Sequence, residues 1–121
     1  MKILVVDDDP MAGMLIGAIL EEGGHEVITV ENGVDAADEV ERHGDLAMVV
    51  SDMHMPLING VELFRTLREQ GVSVPFILLT GNDLEEARAQ EPGLDACLMK
   101  DDELEQTLPA AVEQLLAKDG G

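Results

Sequence analysis

Aromatic side chains are almost missing from this chain, which has two Phe and neither Trp nor Tyr. A flat cofactor or a nucleobase held by stacking on rings is therefore not its business. Cysteine is as scarce: Cys97 alone excludes an internal disulfide and a thiolate metal cage, and agrees with a reducing compartment. Lys and Arg number seven against 26 Asp and Glu, a formal charge of −19. Such a chain lacks the clustered cations that displace counterions from nucleic acid. No apolar run is long enough to cross a bilayer, and Met1-Lys2 leads directly into a short strand-like segment rather than a secretory signal. The expectation is a cytoplasmic protein with no membrane contact and no direct nucleic-acid partner. Acidity of this size favours divalent cations and basic protein surfaces, although most of the acids serve only solubility.

What is present fits one domain with one core, since the chain has 121 residues of which 45% are hydrophobic. Ile3-Leu4-Val5-Val6 is a continuous apolar run, the pattern of a strand buried on both faces. Asp9-Pro10 is a helix start, and Met11, Met14, Leu15, Ala18 and Ile19 recur behind it at helical spacing until Gly23-Gly24. Residues 27–30 form a second strand, and Val34, Ala37 and Val40 mark a second helix that stops near Gly44. The third strand, 47–51, runs into Asp52 and a loop with Pro56 and Asn59-Gly60, after which Val61, Leu63, Phe64 and Leu67 carry a third helix. Pro75 opens the fourth strand, 76–79. Asn82-Asp83 can cap a short fourth helix around 84–89, and 95–99 make the fifth and poorest strand. In the last helix, Leu104, Leu108, Ala111, Val112, Leu115 and Leu116 share a face, yet Pro109 interrupts it. A helix that starts with Thr107 as its cap puts that proline in the first turn, where it costs least.

Strand and helix alternate five times, which predicts a doubly wound α/β protein: a five-stranded parallel sheet of order 2-1-3-4-5 with helices on both faces and right-handed crossovers. Its switch point lies between the first and third strands. Those strands end in Asp7-Asp8 and in Asp52, while the fourth ends in Thr80 and the fifth in Lys100. Three carboxylates at one edge repel unless a cation or a proton neutralises them. Mg²⁺, with its preference for oxygen ligands, resolves that repulsion, and Lys100 and Thr80 opposite it complete what a phosphoryl group needs. Asp52 is then the nucleophile that forms an acyl phosphate.

These residues resemble the receiver domains of two-component response regulators. Val5-Val6-Asp7-Asp8, Val50-Ser51-Asp52-Met53-His54-Met55-Pro56, Gly60, Leu78-Leu79-Thr80-Gly81 and Leu98-Met99-Lys100 follow the family's signatures in order and spacing. The resemblance covers nearly the whole chain. It implies a flavodoxin-like receiver domain over 1–118, with 119–121 a frayed tail. It also implies that Asp52 takes a phosphoryl group from a phosphohistidine on a sensor histidine kinase or a histidine phosphotransfer protein. Asp8 and Asp52 would ligate Mg²⁺ directly, Asp7 through water and His54 through its backbone carbonyl. Thr80 and Lys100 would hold the phosphoryl group, and a downstream protein would read the face of helix 4, strand 5 and helix 5.

Two departures fall on that output face. Cys97 stands where the family usually has an aromatic, and Asp101 where proline usually follows the lysine. Simpler roles fit the remaining candidates: His25 and His43 as surface residues in connections, His54 as a solvent-facing side chain, Met11, Met14, Met48 and Met99 as core filler, Met53 and Met55 as rim of the site, Cys97 as buried and inert. Two other functions compete. A haloacid dehalogenase-type phosphatase would use Asp7-Asp8-Asp9 and leave Asp52 idle, and a receiver-fold binding module would never be phosphorylated. A flavodoxin-like electron carrier would need a Ser/Thr-rich first loop, which is absent.

Overall fold

The computed structural model describes residues 1–81 and 84–120. Five strands, β1 (Lys2–Val6), β2 (Glu26–Val30), β3 (Leu46–Asp52), β4 (Phe76–Thr80) and β5 (Ala96–Met99), alternate with five helices. These are α1 (Pro10–Glu22), α2 (Gly33–Arg42), α3 (Gly60–Glu69), α4 (Leu84–Gln90) and α5 (Leu104–Gly120). All pairings are parallel and the order is β2-β1-β3-β4-β5, as expected. The proposed cap pair Asn82-Asp83 and the terminal Gly121 lie outside the described residues.

Period-two side-chain alternation divides the core into two layers. Ile3 and Val5, Met48 and Val50, and Ile77 and Leu79 face α1 and α5, where Ile16, Leu20, Leu104, Leu108 and Val112 meet them. Leu4, Val6, Val49, Phe76 and Leu78 face the opposite layer, built on Ala36, Leu63, Phe64, Leu67 and Ala87 of α2, α3 and α4. Both faces of the central strands are thus covered, which is why they read as unbroken apolar runs.

Helix α1 corrects the expected inward face. Met11, Met14 and Leu15 are 79%, 74% and 56% exposed rather than core filler, and the buried side is Gly13, Ile16, Gly17, Ile19 and Leu20. Gly17 lies over β2, where a Cβ would meet Val27 Cγ1 at an ordinary contact distance of 3.4 Å, and Ile16, Ile19 and Leu20 supply the apolar surface of the buried side. The stripe 13, 16, 17, 20 has helical period and alternates glycine with Ile16 and Leu20, and it prevails over the side chains in the other phase. Val34, expected to face inward from α2, is likewise 52% exposed.

Helix α5 begins at Leu104, not at Thr107, and Pro109 lies inside it. The entry is a turn in which Asp101 accepts the Glu103 N–H at its carboxylate (3.0 Å) and the Leu104 N–H at its carbonyl (3.1 Å). An interior proline costs about 3 kcal/mol, whereas burying a leucine returns roughly 1.5–3 kcal/mol. Leu104 and Leu108 are 5% and 0% exposed, so starting the helix early enough to seat both offsets the interruption. Strand β5 also starts one residue late, at Ala96, and just before it the Asp95 carboxylate accepts the Phe76 N–H at 2.8 Å and an Arg68 N–H at 3.0 Å.

Candidate functional site

The first turn of α1 sets up the acidic edge. Asp9 caps the helix by accepting the Met11 N–H at 3.0 Å, with Pro10 as the first helical residue, which leaves Asp7 and Asp8 free of capping duty. Asp7 turns inward, and Asp8 stays exposed. On the adjacent β3, Asp52 ends the strand with 8% exposure. Carboxylate oxygens of Asp7, Asp8 and Asp52 all lie within 4.8 Å of one another.

Lys100, at the end of β5, reaches across this cluster. Its Nζ donates to Asp7 Oδ2 at 2.6 Å and lies 3.6 Å from Asp52 Oδ2. Its own N–H donates to the Thr80 carbonyl at 2.8 Å, which fastens the ends of β4 and β5 together. The second Asp7 oxygen accepts the Asp9 N–H at 2.9 Å. Burial raises the Asp52 carboxyl above its ordinary range; Lys100 pulls it down, and Asp7 and Asp8 push it further up. Burial opposes the charge on Lys100, but the hydrogen bond to Asp7 and the Asp52 charge outweigh it and hold that ammonium above its ordinary value. One cation among three carboxylates leaves negative charge uncompensated, the condition a divalent ion with oxygen ligands satisfies.

The loop from β3 to α3 is shaped for this pocket. Gly60 donates its N–H to the Met53 carbonyl at 2.9 Å, and a Cβ there would fall 2.6 Å from the Asp52 carbonyl oxygen and 2.4 Å from Leu78 Cδ1. Only glycine lets the loop close so tightly behind Asp52. Ser51 Oγ donates to the same carbonyl at 2.9 Å. Asn59 and Glu62 form a capping box that starts α3. Leu57 takes φ +73°, a left-handed conformation that costs a residue with a Cβ about 1–2 kcal/mol.

Asp7, Asp8, Asp52 and Lys100 are thus brought together, as the strand ends predict. Thr80 ends β4 at the same edge. Its side chain is buried, its hydroxyl has no partner among the described residues, and it lines a cavity of about 70 Å³ with Met53, His54, Glu86, Ala87 and Gln90. His54 is exposed, Met53 is buried at the rim and Met55 half-buried. Cys97 is 2% exposed, and burial pushes its thiol up, the direction of an unreactive sulfur. Leu57 lies just past the Val50–Pro56 signature and carried no motif signal. A leucine at positive φ contradicts the residue preference that would have marked the position.

A doubly wound parallel sheet with three carboxylates and an ammonium at its switch point defines a flavodoxin-like protein with an acidic pocket at the carboxyl edge. The chain belongs to the response regulator receiver domain family, whose profile matches residues 3–113. It is 36% identical over 120 residues to the sensor histidine kinase RcsC of Salmonella typhi, covering 95% of this chain and 13% of that one. The two-component response regulator PhoP of Pseudomonas aeruginosa is 35% identical, covering 100% of this chain and 54% of PhoP. The chain therefore spans about an eighth of the kinase and about half of the regulator. A receiver domain protein from Clostridium thermocellum superposes with a TM-score of 0.88 at 27% identity, covering 98% of this chain and 96% of that one. The regulator TrrA of Thermotoga maritima, solved in complex with Mg²⁺-BeF, superposes at 0.85 with 30% identity, covering 94% and 97%. The chain is accordingly a receiver domain of two-component signalling, a class that interacts with sensor histidine kinases. No helix among the described residues is long and apolar enough to cross a membrane.

Proposed function

We propose that this receiver is a phosphoacceptor switch in which Asp52 takes a phosphoryl group from the phosphohistidine of a sensor histidine kinase or a histidine phosphotransfer protein. The observation that carries this is the convergence of Asp7, Asp8 and Asp52 within 4.8 Å, with Lys100 3.6 Å from Asp52. An Asp52 oxygen attacks phosphorus as the P–N bond breaks to an imidazole already protonated on its other nitrogen, leaving an acyl phosphate and neutral histidine. Mg²⁺ held by Asp8, Asp52 and the His54 carbonyl would neutralise the phosphoryl oxygens during transfer. Both Asp7 oxygens are already engaged, by Lys100 and by the Asp9 N–H, which suits a role for Asp7 through water. Lys100 is placed to follow charge from Asp7 to the new phosphoryl oxygens.

The same contacts disfavour the phosphatase reading. Its nucleophile would be Asp7, whose side chain is 0% exposed and doubly hydrogen-bonded, whereas that of Asp52 is 11% exposed. Output through α4, β5 and α5 has support in the Thr80 cavity, which α4 walls with Glu86, Ala87 and Gln90. Movement of the Thr80 hydroxyl toward a phosphoryl group would empty space against α4, and with Cys97 in the aromatic's place no ring turns to fill it. A cytoplasmic site of action accords with the kinase partner.

Incubation with acetyl phosphate and Mg²⁺ followed by intact mass tests the proposal. The expected result is a gain of one phosphoryl group in the wild type and none with chelator or in Asp52→Ala. Turnover of a free phosphate ester that Asp7→Asn abolishes and Asp52→Asn leaves intact would overturn it.

A further inference from the structure

Leu57 carries two costs that nothing among the described residues repays. Its backbone is at φ +73° and its side chain is 76% exposed, so neither the strain nor the apolar surface is offset by packing. Asparagine or glycine would avoid both. The residue stands in the loop between β3 and α3 that follows Asp52, at the carboxyl edge of the sheet.

Two more exposed apolar side chains begin at the same edge. Met11, in the first turn of α1, is 79% exposed, and Val34, in the first turn of α2, is 52% exposed. The connections that follow β1, β2 and β3 therefore each offer a large apolar side chain around the pocket. The Asp52 side chain is recessed at 11% exposure, so a donor must bring phosphorus down to it. A small phosphodonor does so without touching the rim. A folded protein cannot, because its surface beside the reacting imidazole comes to rest on these loops.

We propose that Leu57 is a specificity-determining residue for the protein phosphodonor, held outward by its left-handed backbone to seat an apolar patch next to the donor's phosphohistidine. This rests on the reading of Asp52 as phosphoacceptor. The chemistry of the occupant follows from the rim: apolar side chains beside the histidine to cover Leu57, Met11 and Val34, and basic side chains to meet the exposed Asp9 and Glu31.

The test compares two donors on wild type, Leu57→Asn and Leu57→Gly. Both variants suit the left-handed backbone, and both are expected to melt no lower than wild type. Labelling by acetyl phosphate with Mg²⁺ should stay within about two-fold of wild type, because a small donor makes no rim contact. The second donor is the fastest of a panel of purified, autophosphorylated sensor histidine kinases from the source genome. Transfer from it should slow about ten-fold in kcat/KM, the usual loss when an apolar anchor is removed. Equal transfer to variants and wild type overturns the proposal, as does equal slowing with both donors, or a panel in which no kinase outpaces acetyl phosphate. Failure of acetyl phosphate to label wild-type Asp52 would instead overturn the phosphoacceptor reading.

Discussion

Asp52 holds a charge that the metal-free protein accommodates at a cost. Its carboxyl is raised first by burial and then by Asp7 and Asp8, with Lys100 opposing. A carboxyl with a raised folded-state pKa contributes stability that is fully present below its unfolded value and is lost as pH climbs through the folded value. At neutral pH without metal, Asp52 therefore destabilises the fold, and Asp52→Asn should raise Tm by roughly 3–6 °C. That gap should close as pH falls toward the ordinary value of 3.8, and Mg²⁺ should reverse it by stabilising only the wild type. Thermal melts across pH with and without Mg²⁺ measure this, and a variant less stable than metal-free wild type at neutral pH would contradict it. Asp7, Asp8, Asp52 and Lys100 were legible as a group because each follows an apolar run, and parallel strands bring such ends to one edge. The Lys100–Asp7 bond at 2.6 Å was not, since pairing among four charges depends on sub-ångström placement. Nor was the buried Thr80 hydroxyl's lack of a partner among the described residues.

At the scale of elements, strands were easier to read than helix phases. A strand buried on both faces needs only a run of apolar residues, and such runs marked all five strands to within a residue or two at either end. A helix needs its phase as well, and in α1 the buried side includes Gly13 and Gly17. Glycine has no hydropathy signal, so the larger Met11, Met14 and Leu15 suggested the wrong face. In α5 the local cost of Pro109 pointed to a late start, while tertiary burial of Leu104 and Leu108 decided on an early one. The lost hydrogen bond remains a defect, because the Glu105 carbonyl has no amide hydrogen at Pro109 to accept. Pro109→Ala should therefore stabilise the protein by about 1–2 kcal/mol, part of the ordinary proline penalty. Urea denaturation checks this, and a loss of stability would show that Pro109 earns its place by packing against Leu20 and His25, which line the same small cavity.

Across the whole molecule, charge dominates. With 26 acids against seven bases, most carboxylates have no cation to pair with, and four of the bases are already committed. Lys2 meets Glu26 and Asp45, Arg65 meets Glu91, Arg68 meets Asp95, and Lys100 meets Asp7 and Asp52. Self-repulsion at −19 should be relieved by screening, so Tm in chelator should rise by about 3 °C or more between roughly 0.02 and 0.5 M NaCl. A fall over that range would mean that the few ion pairs outweigh the repulsion. The same excess of charge is focused at the switch point, where the proposed Mg²⁺ would offset it.

Chemical trapping addresses the phosphoacceptor most directly. Borohydride reduces an aspartyl phosphate to homoserine, so protein incubated with acetyl phosphate and Mg²⁺, reduced and digested, should yield homoserine at position 52 by peptide mass spectrometry. Homoserine at position 7 or 8, or none at position 52 despite a phosphoryl gain in intact mass, would contradict Asp52 as the acceptor.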